Sequence, residues 1–205
     1  MRLGLDFDNT IVRYDELFHR VALEAGVIPK DLPVSKLSVR DYLRREGKEQ
    51  TWIEMQGYVY GARMAEADMY PGVSEFLSWA RSRGLSTSIV SHKTRYPFSG
   101  PKYDLHRASR EWVEARLRDE AGPLVDPSSV FFELSKGEKV ARIASLACSV
   151  FIDDLPEIFE EQGFPKQVFP ILFDPDTHHL NSKVQRLASW EELREIVEQR
   201  WHPNS

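Results

Sequence analysis

A chain of 205 residues with 41% hydrophobic and 29% charged side chains can bury a real core, and it fits one domain with a sizeable insertion better than two independent domains. The net charge of -5 gives no general attraction for nucleic acid or an anionic membrane, which argues against a phosphodiester polymer as partner. Cys148 is the single cysteine, so no internal disulfide can form; set between Ala147 and Ser149, it reads as small core filler suited to a reducing compartment. No run approaches membrane-spanning length, and Asp6 and Asp8 stand where a signal peptide would need hydrophobes. The expected setting is therefore soluble and cytoplasmic, with no membrane partner.

In chain order, the first apolar run is a short strand at 3–7 that ends in Asp6, Asp8, Asn9 and Thr10. Alternation along an extended chain puts Asp6 and Asp8 on one face just where the strand stops. Two carboxylates so close raise each other's pKa unless a cation lies between them, and hard oxygens suit magnesium. From Tyr14 to about Tyr70 the pattern is helical: Asp15 caps a helix that stops at Gly26, Ser38 with Asp41 opens a second that stops at Gly47, and a third covers roughly 49–66. Trp52, Met55, Tyr58 and Tyr60 read as the core of this insertion rather than as a substrate pocket. The expected division is a core of 1–13 and 71–205 with a helical cap at 14–70, placed where it can act as a lid.

After the turn Tyr70-Pro71-Gly72 comes a helix at 73–83 and a strand at 86–90, which runs into Ser91, His92 and Lys93. Residues 95–103 form a loop dense in proline, glycine and aromatics, a composition suited to binding groups. A helix at 109–120 is expected to pack Trp112 on the sheet. A strand at 130–132 precedes Lys136 and a helix at 139–146; a strand at 149–152 precedes Asp153 and Asp154; another spans 168–173. His178 and His179 lack the spacing of a helical ligand pair and read as surface loop. Ser189 with Glu192 makes a capping box for a last helix whose apolar stripe is Trp190, Leu193, Ile196 and Val197. Strand and helix alternation implies an α/β fold, an open Rossmann-like parallel sheet with helices on both faces and its ligands at the carboxyl ends of the strands.

Taken in order, Asp6-x-Asp8-x-Thr10, Ser91, Lys136 and the pair Asp153-Asp154 resemble the haloacid dehalogenase-like superfamily of phosphohydrolases, over most of the chain. The resemblance implies that Asp6 attacks phosphorus to give an aspartyl-phosphate and that Asp8 protonates the leaving oxygen and later activates water. Dehalogenating branches lack the second aspartate, so Asp8 argues for phosphoryl transfer. Ser91 and Lys136 would hold and neutralise the phosphoryl oxygens, with Lys136 preferred to Lys139 because it directly follows the strand end. Thr10, His92 and Lys93 are candidates for substrate contact, although the basic block 92–95 equally suits an exposed loop. Magnesium would take the Asp6 carboxylate, the Asp8 backbone carbonyl and Asp154, with Asp153 behind or in its place. The implied activity is magnesium-dependent hydrolysis of a small phosphorylated metabolite, a sugar phosphate or a nucleotide-like ligand. A phosphotransferase or mutase using the same intermediate, and a binding module without turnover, are the alternatives.

Overall fold

Six short runs become the strands of one parallel sheet: β1 (Arg2–Leu5), β2 (Ser86–His92), β3 (Val130–Glu133), β4 (Val150–Asp153), β5 (Phe169–Phe173) and β6 (Gln185–Leu187). Their spatial order is β6-β5-β4-β1-β2-β3, so β1 lies inside the sheet with β4 on one side and β2 on the other. The computed structural model describes residues 1–200, and in it the chain divides into two units. The first holds Met1–Ile11, Met69–His92 and the chain from Leu117. The second holds Val12–Asp68 and Lys93–Arg116.

The register of the first unit decides which residues meet. Leu5 pairs with both Ile89 and Ile152, and the Asp6 amide carries the ladder one step further onto the Ile152 carbonyl at 2.8 Å. Paired residues point to the same side, so Leu5, Ile152, Ile171 and Phe173 face one layer of helices, while Val90, Phe151, Asp6 and Asp153 face the other. On the second side Val90, Phe151 and Cys148 form a core with Val140 and Ile143 of the helix Lys136–Ser145 and with Ile158. Cys148 is thus buried filler, and burial pushes its thiol up to about 11. On the first side Phe173 meets Trp190, which in turn meets Phe76 of the helix Val73–Ser82.

The second unit is helical: Asp15–Glu24, Lys36–Arg45, Glu49–Tyr60 and Leu105–Arg116. The first two ends agree with the glycine stops, since Gly26 and Gly47 both adopt positive φ. The second helix begins earlier than Ser38, because the Ser35 side chain accepts the amides of Leu37 and Ser38. Trp52 and Met55 are buried, and Trp52 stacks near Phe18 with ring centroids 5.0 Å apart.

Residues 93–116 join this helical unit and not the sheet-bearing one in which the sequence reading places them. The buried indole of Trp112 donates to the Ala67 carbonyl at 2.9 Å. Gly57 and Gly61 are the physical reason that the loop 95–103 can lie on the helix Glu49–Tyr60. A Cβ on Gly61 would stand 2.3 Å from Tyr103 Cβ, and one on Gly57 would stand 2.7 Å from Pro97 Cβ. No helix among the described residues is long and apolar enough to cross a membrane.

Candidate active site

Asp6 lies one residue beyond β1, is 3% exposed, and faces the helix Lys136–Ser145. That helix is capped by Ser135, which accepts the Glu138 amide at 3.2 Å. Its buried stripe is Lys139, Val140 and Ile143. Side chains on a helix lean back toward its N-terminus, which here is the carboxyl rim of the sheet. Lys139 therefore reaches the rim with no exposed surface, its Nζ 2.5 Å from Asp6 Oδ1 and 2.6 Å from Asp153 Oδ2.

Lys136, which the sequence reading prefers, is a full turn earlier. Its ammonium is partly exposed and pairs with Glu157 at 3.0 Å. The lysine beside Asp6 is Lys139. Nearness in sequence to the strand end is the wrong measure, because one helical turn is needed to carry a side chain back over the sheet face.

Burial opposes the Lys139 charge, but Asp153 and Asp6 together outweigh it and hold its pKa above the ordinary lysine value. Burial pushes the Asp153 carboxyl upward; Lys139 opposes this and Asp6 adds to it. Asp154, the next residue, is half-buried and accepts a hydrogen bond from Asn9 Nδ2 at 3.2 Å. Oxygens of Asp6, Asp153 and Asp154 lie within 4.8 Å of one another. These three carboxylates are the residues that would hold a hard divalent ion. Three carboxylates against one ammonium, that of Lys139 on Asp6 and Asp153, leave two negative charges, which a divalent cation would balance. The donor chemistry thus fits a hard divalent ion.

Thr10 is fully buried, and its hydroxyl points at Asp6 Oδ2 across 3.5 Å, a long contact. Asp8 is half-buried in the same loop. Ser91 is 1% exposed near the end of β2, in the strand beside β1. His92 follows it and is half-buried, with an Nδ1 that lacks a hydrogen-bond partner. Burial, and then the Lys139 charge, hold the His92 pKa below its ordinary value. The structure thus gathers Asp6, Thr10, Lys139, Asp153 and Asp154, with Ser91 on the adjoining strand.

The remaining candidates have partners of their own. Lys93 opens the second unit, where its ammonium donates to Ser109 at 2.8 Å and sits 5.6 Å from the Tyr60 ring centre. Arg95 pairs with Asp104 there. His178 is exposed, and the backbone amides of His178 and His179 both donate to Asp174. Asn9 carries no role in the sequence reading. It adopts a left-handed φ of 57° while tying the first loop to Asp154, and its signal was available: asparagine is among the few residues that accept that conformation.

No protein-family model matches the sequence, and no characterised protein matches it significantly. Solved structures do match along nearly the whole chain. A predicted phosphatase from Clostridium acetobutylicum has a TM-score of 0.63 at 16% identity, over 97% of this chain and 98% of that one. A hydrolase of the haloacid dehalogenase family from Deinococcus radiodurans, solved with bound phosphate and sodium, has a TM-score of 0.61 at 14% identity, over 97% and 95%. Protein Tyrosine Kinase A of Mycobacterium tuberculosis has a TM-score of 0.60 at 16% identity, over 96% and 97%. The fold of this chain is the one these solved structures share.

Proposed function

We propose that the protein is a magnesium-dependent phosphomonoester hydrolase that works through an aspartyl-phosphate on Asp6. The observation that carries the reading is the buried Asp6 carboxylate held 2.5 Å from Lys139 inside a group of three metal-competent aspartates. A charge constellation of that kind has no use in a packed core, where it costs several kcal/mol of desolvation, but it suits transfer of an anionic group.

In the first step an Asp6 oxygen attacks phosphorus, the ester P–O bond breaks, and the leaving alkoxide takes the proton of Asp8. In the second, water attacks the phosphoryl group while Asp8 removes its proton. The P–O bond to Asp6 breaks, releasing inorganic phosphate and the free carboxylate. Lys139, in place of Lys136, fixes Asp6 and balances charge on the phosphoryl oxygens; Ser91 donates a hydrogen bond to them, and Thr10 orients Asp6. His92, neutral near pH 7, contacts the substrate, and Lys93 is a further candidate for that role. Asp6, Asp154 and the Asp8 carbonyl would hold magnesium with Asp153 behind them; when bound, the ion would supply a fixed positive charge against the phosphoryl oxygens. The substrate class is a small phosphorylated metabolite, a sugar phosphate or a nucleotide-like ester, and the setting is cytoplasmic.

The kinase named among the fold neighbours keeps a second reading in view, transfer of the same phosphoryl group to a hydroxyl acceptor. The test is a screen of phosphorylated metabolites with magnesium, measuring free phosphate against substrate consumed. Equal amounts support hydrolysis, and a phosphate deficit with a new phosphoester supports transfer. Asp6→Asn should lose at least ~10³-fold in rate while remaining folded. A wild type that turns over no member of the screen refutes the enzyme reading.

A further inference from the structure

The loop from Asp6 to Ile11 carries the proposed nucleophile, and two of its restraints lie within the loop itself. The Ile11 amide bonds to Phe7 O at 3.0 Å, and the Thr10 hydroxyl leans on Asp6. Two consecutive carbonyls at the end of the loop, however, are held from outside it. Ile11 O accepts the Tyr70 amide at 2.9 Å, and Thr10 O accepts the indole N–H of Trp190 at 3.2 Å, across 180 residues of sequence.

Trp190 is the first residue of the helix Trp190–Arg200 and is 1% exposed. Its ring is fixed from two directions, by Phe76 at 5.2 Å and Phe173 at 6.1 Å between centroids. Gly72, at a φ of 85°, leaves room for it, since a Cβ there would lie 2.9 Å from Trp190 Cβ. An immobile donor on a buried carbonyl sets the position of that carbonyl, and an unpaired buried carbonyl would draw the loop toward another partner.

We infer that Trp190 is a positioning residue for Asp6: its indole fixes Thr10, and Thr10 in turn keeps the Asp6 carboxylate at the angle required for attack. The inference rests on the reading of Asp6 as nucleophile. In the sequence Trp190 is one member of an apolar stripe, a role any large hydrophobe could fill. The hydrogen bond is what phenylalanine could not supply.

The test is a double-variant cycle on the full chain, with p-nitrophenyl phosphate and magnesium as probe and kcat and KM measured separately below the unfolding temperature of every variant. Trp190→Phe should lower kcat about tenfold with KM held within about twofold, because misplacing a reacting group acts on the chemical step. Thr10→Val should lower kcat by its own factor, and adding Trp190→Phe to it should cost little more, since the link is already cut. A folded Trp190→Phe variant with wild-type kcat overturns the inference, as do losses that multiply in the double variant. Should Trp190→Phe fail to fold, replacing Trp190 by 3-benzothienylalanine keeps the ring's volume and removes only the N–H, with the same expected results. A wild type inactive toward every phosphomonoester would overturn the nucleophile reading and this inference together, whereas an active wild type with an unimpaired variant overturns this inference alone.

Discussion

A lysine without solvent contact stays charged only if carboxylates compensate for its lost water, and Lys139 has two of them in Asp6 and Asp153. Lys139→Met should therefore leave two buried acids without their cation, costing about 3–5 kcal/mol in denaturant unfolding and at least ~10²-fold in phosphate release. Lys136→Met removes only a half-exposed pair with Glu157, and should stay within about 1 kcal/mol of wild type and keep nearly full activity. The opposite ranking would return the role to Lys136. The cluster of Asp6, Thr10 and the acidic pair was legible because each stands where an apolar run stops. The lysine was not, since the choice between positions 136 and 139 depends on the direction a side chain leans from its helix.

At the scale of elements, strands with continuous apolar runs were legible, but β6 was not. Gln185–Leu187 contributes one buried residue in three and takes its place by pairing with β5. The link between the loop 95–103 and the helix Glu49–Tyr60 was equally invisible, because it depends on two glycines whose meaning is the absence of a side chain. Gly61→Ala would drive a methyl into Tyr103, so it should destabilise the protein by about 2–3 kcal/mol in denaturant unfolding. Adding Tyr103→Ala should recover part of that loss, a coupling that a purely helical effect of alanine would not produce.

For the molecule as a whole, pH dependence offers a readout. The folded His92 has a pKa below its ordinary 6.5, so the unfolded chain binds the proton more tightly. The contribution of His92 to stability should then fall as pH drops through 6.5 toward the folded value, because the unfolded state gains that proton first. His92→Gln should flatten that part of the profile in thermal unfolding followed from pH 7 downward, and an unchanged slope would exclude the histidine as its source. The alternation of strands and helices made the α/β class legible over the whole chain. The membership of residues 93–116 was not, since a helix can serve either unit with the same amphipathic pattern.

The register of β1 bears on how the chain is made. Its Leu3 and Leu5 find one neighbour in Thr87 and Ile89 and the other only in Val150 and Ile152. At ~15 residues per second a ribosome needs about ten seconds to lengthen the polypeptide from the first of these strands to the last. Throughout that interval a sticky apolar ribbon waits with one side unpaired, so nascent copies should depend on holding chaperones, and slow synthesis should favour clumping over assembly.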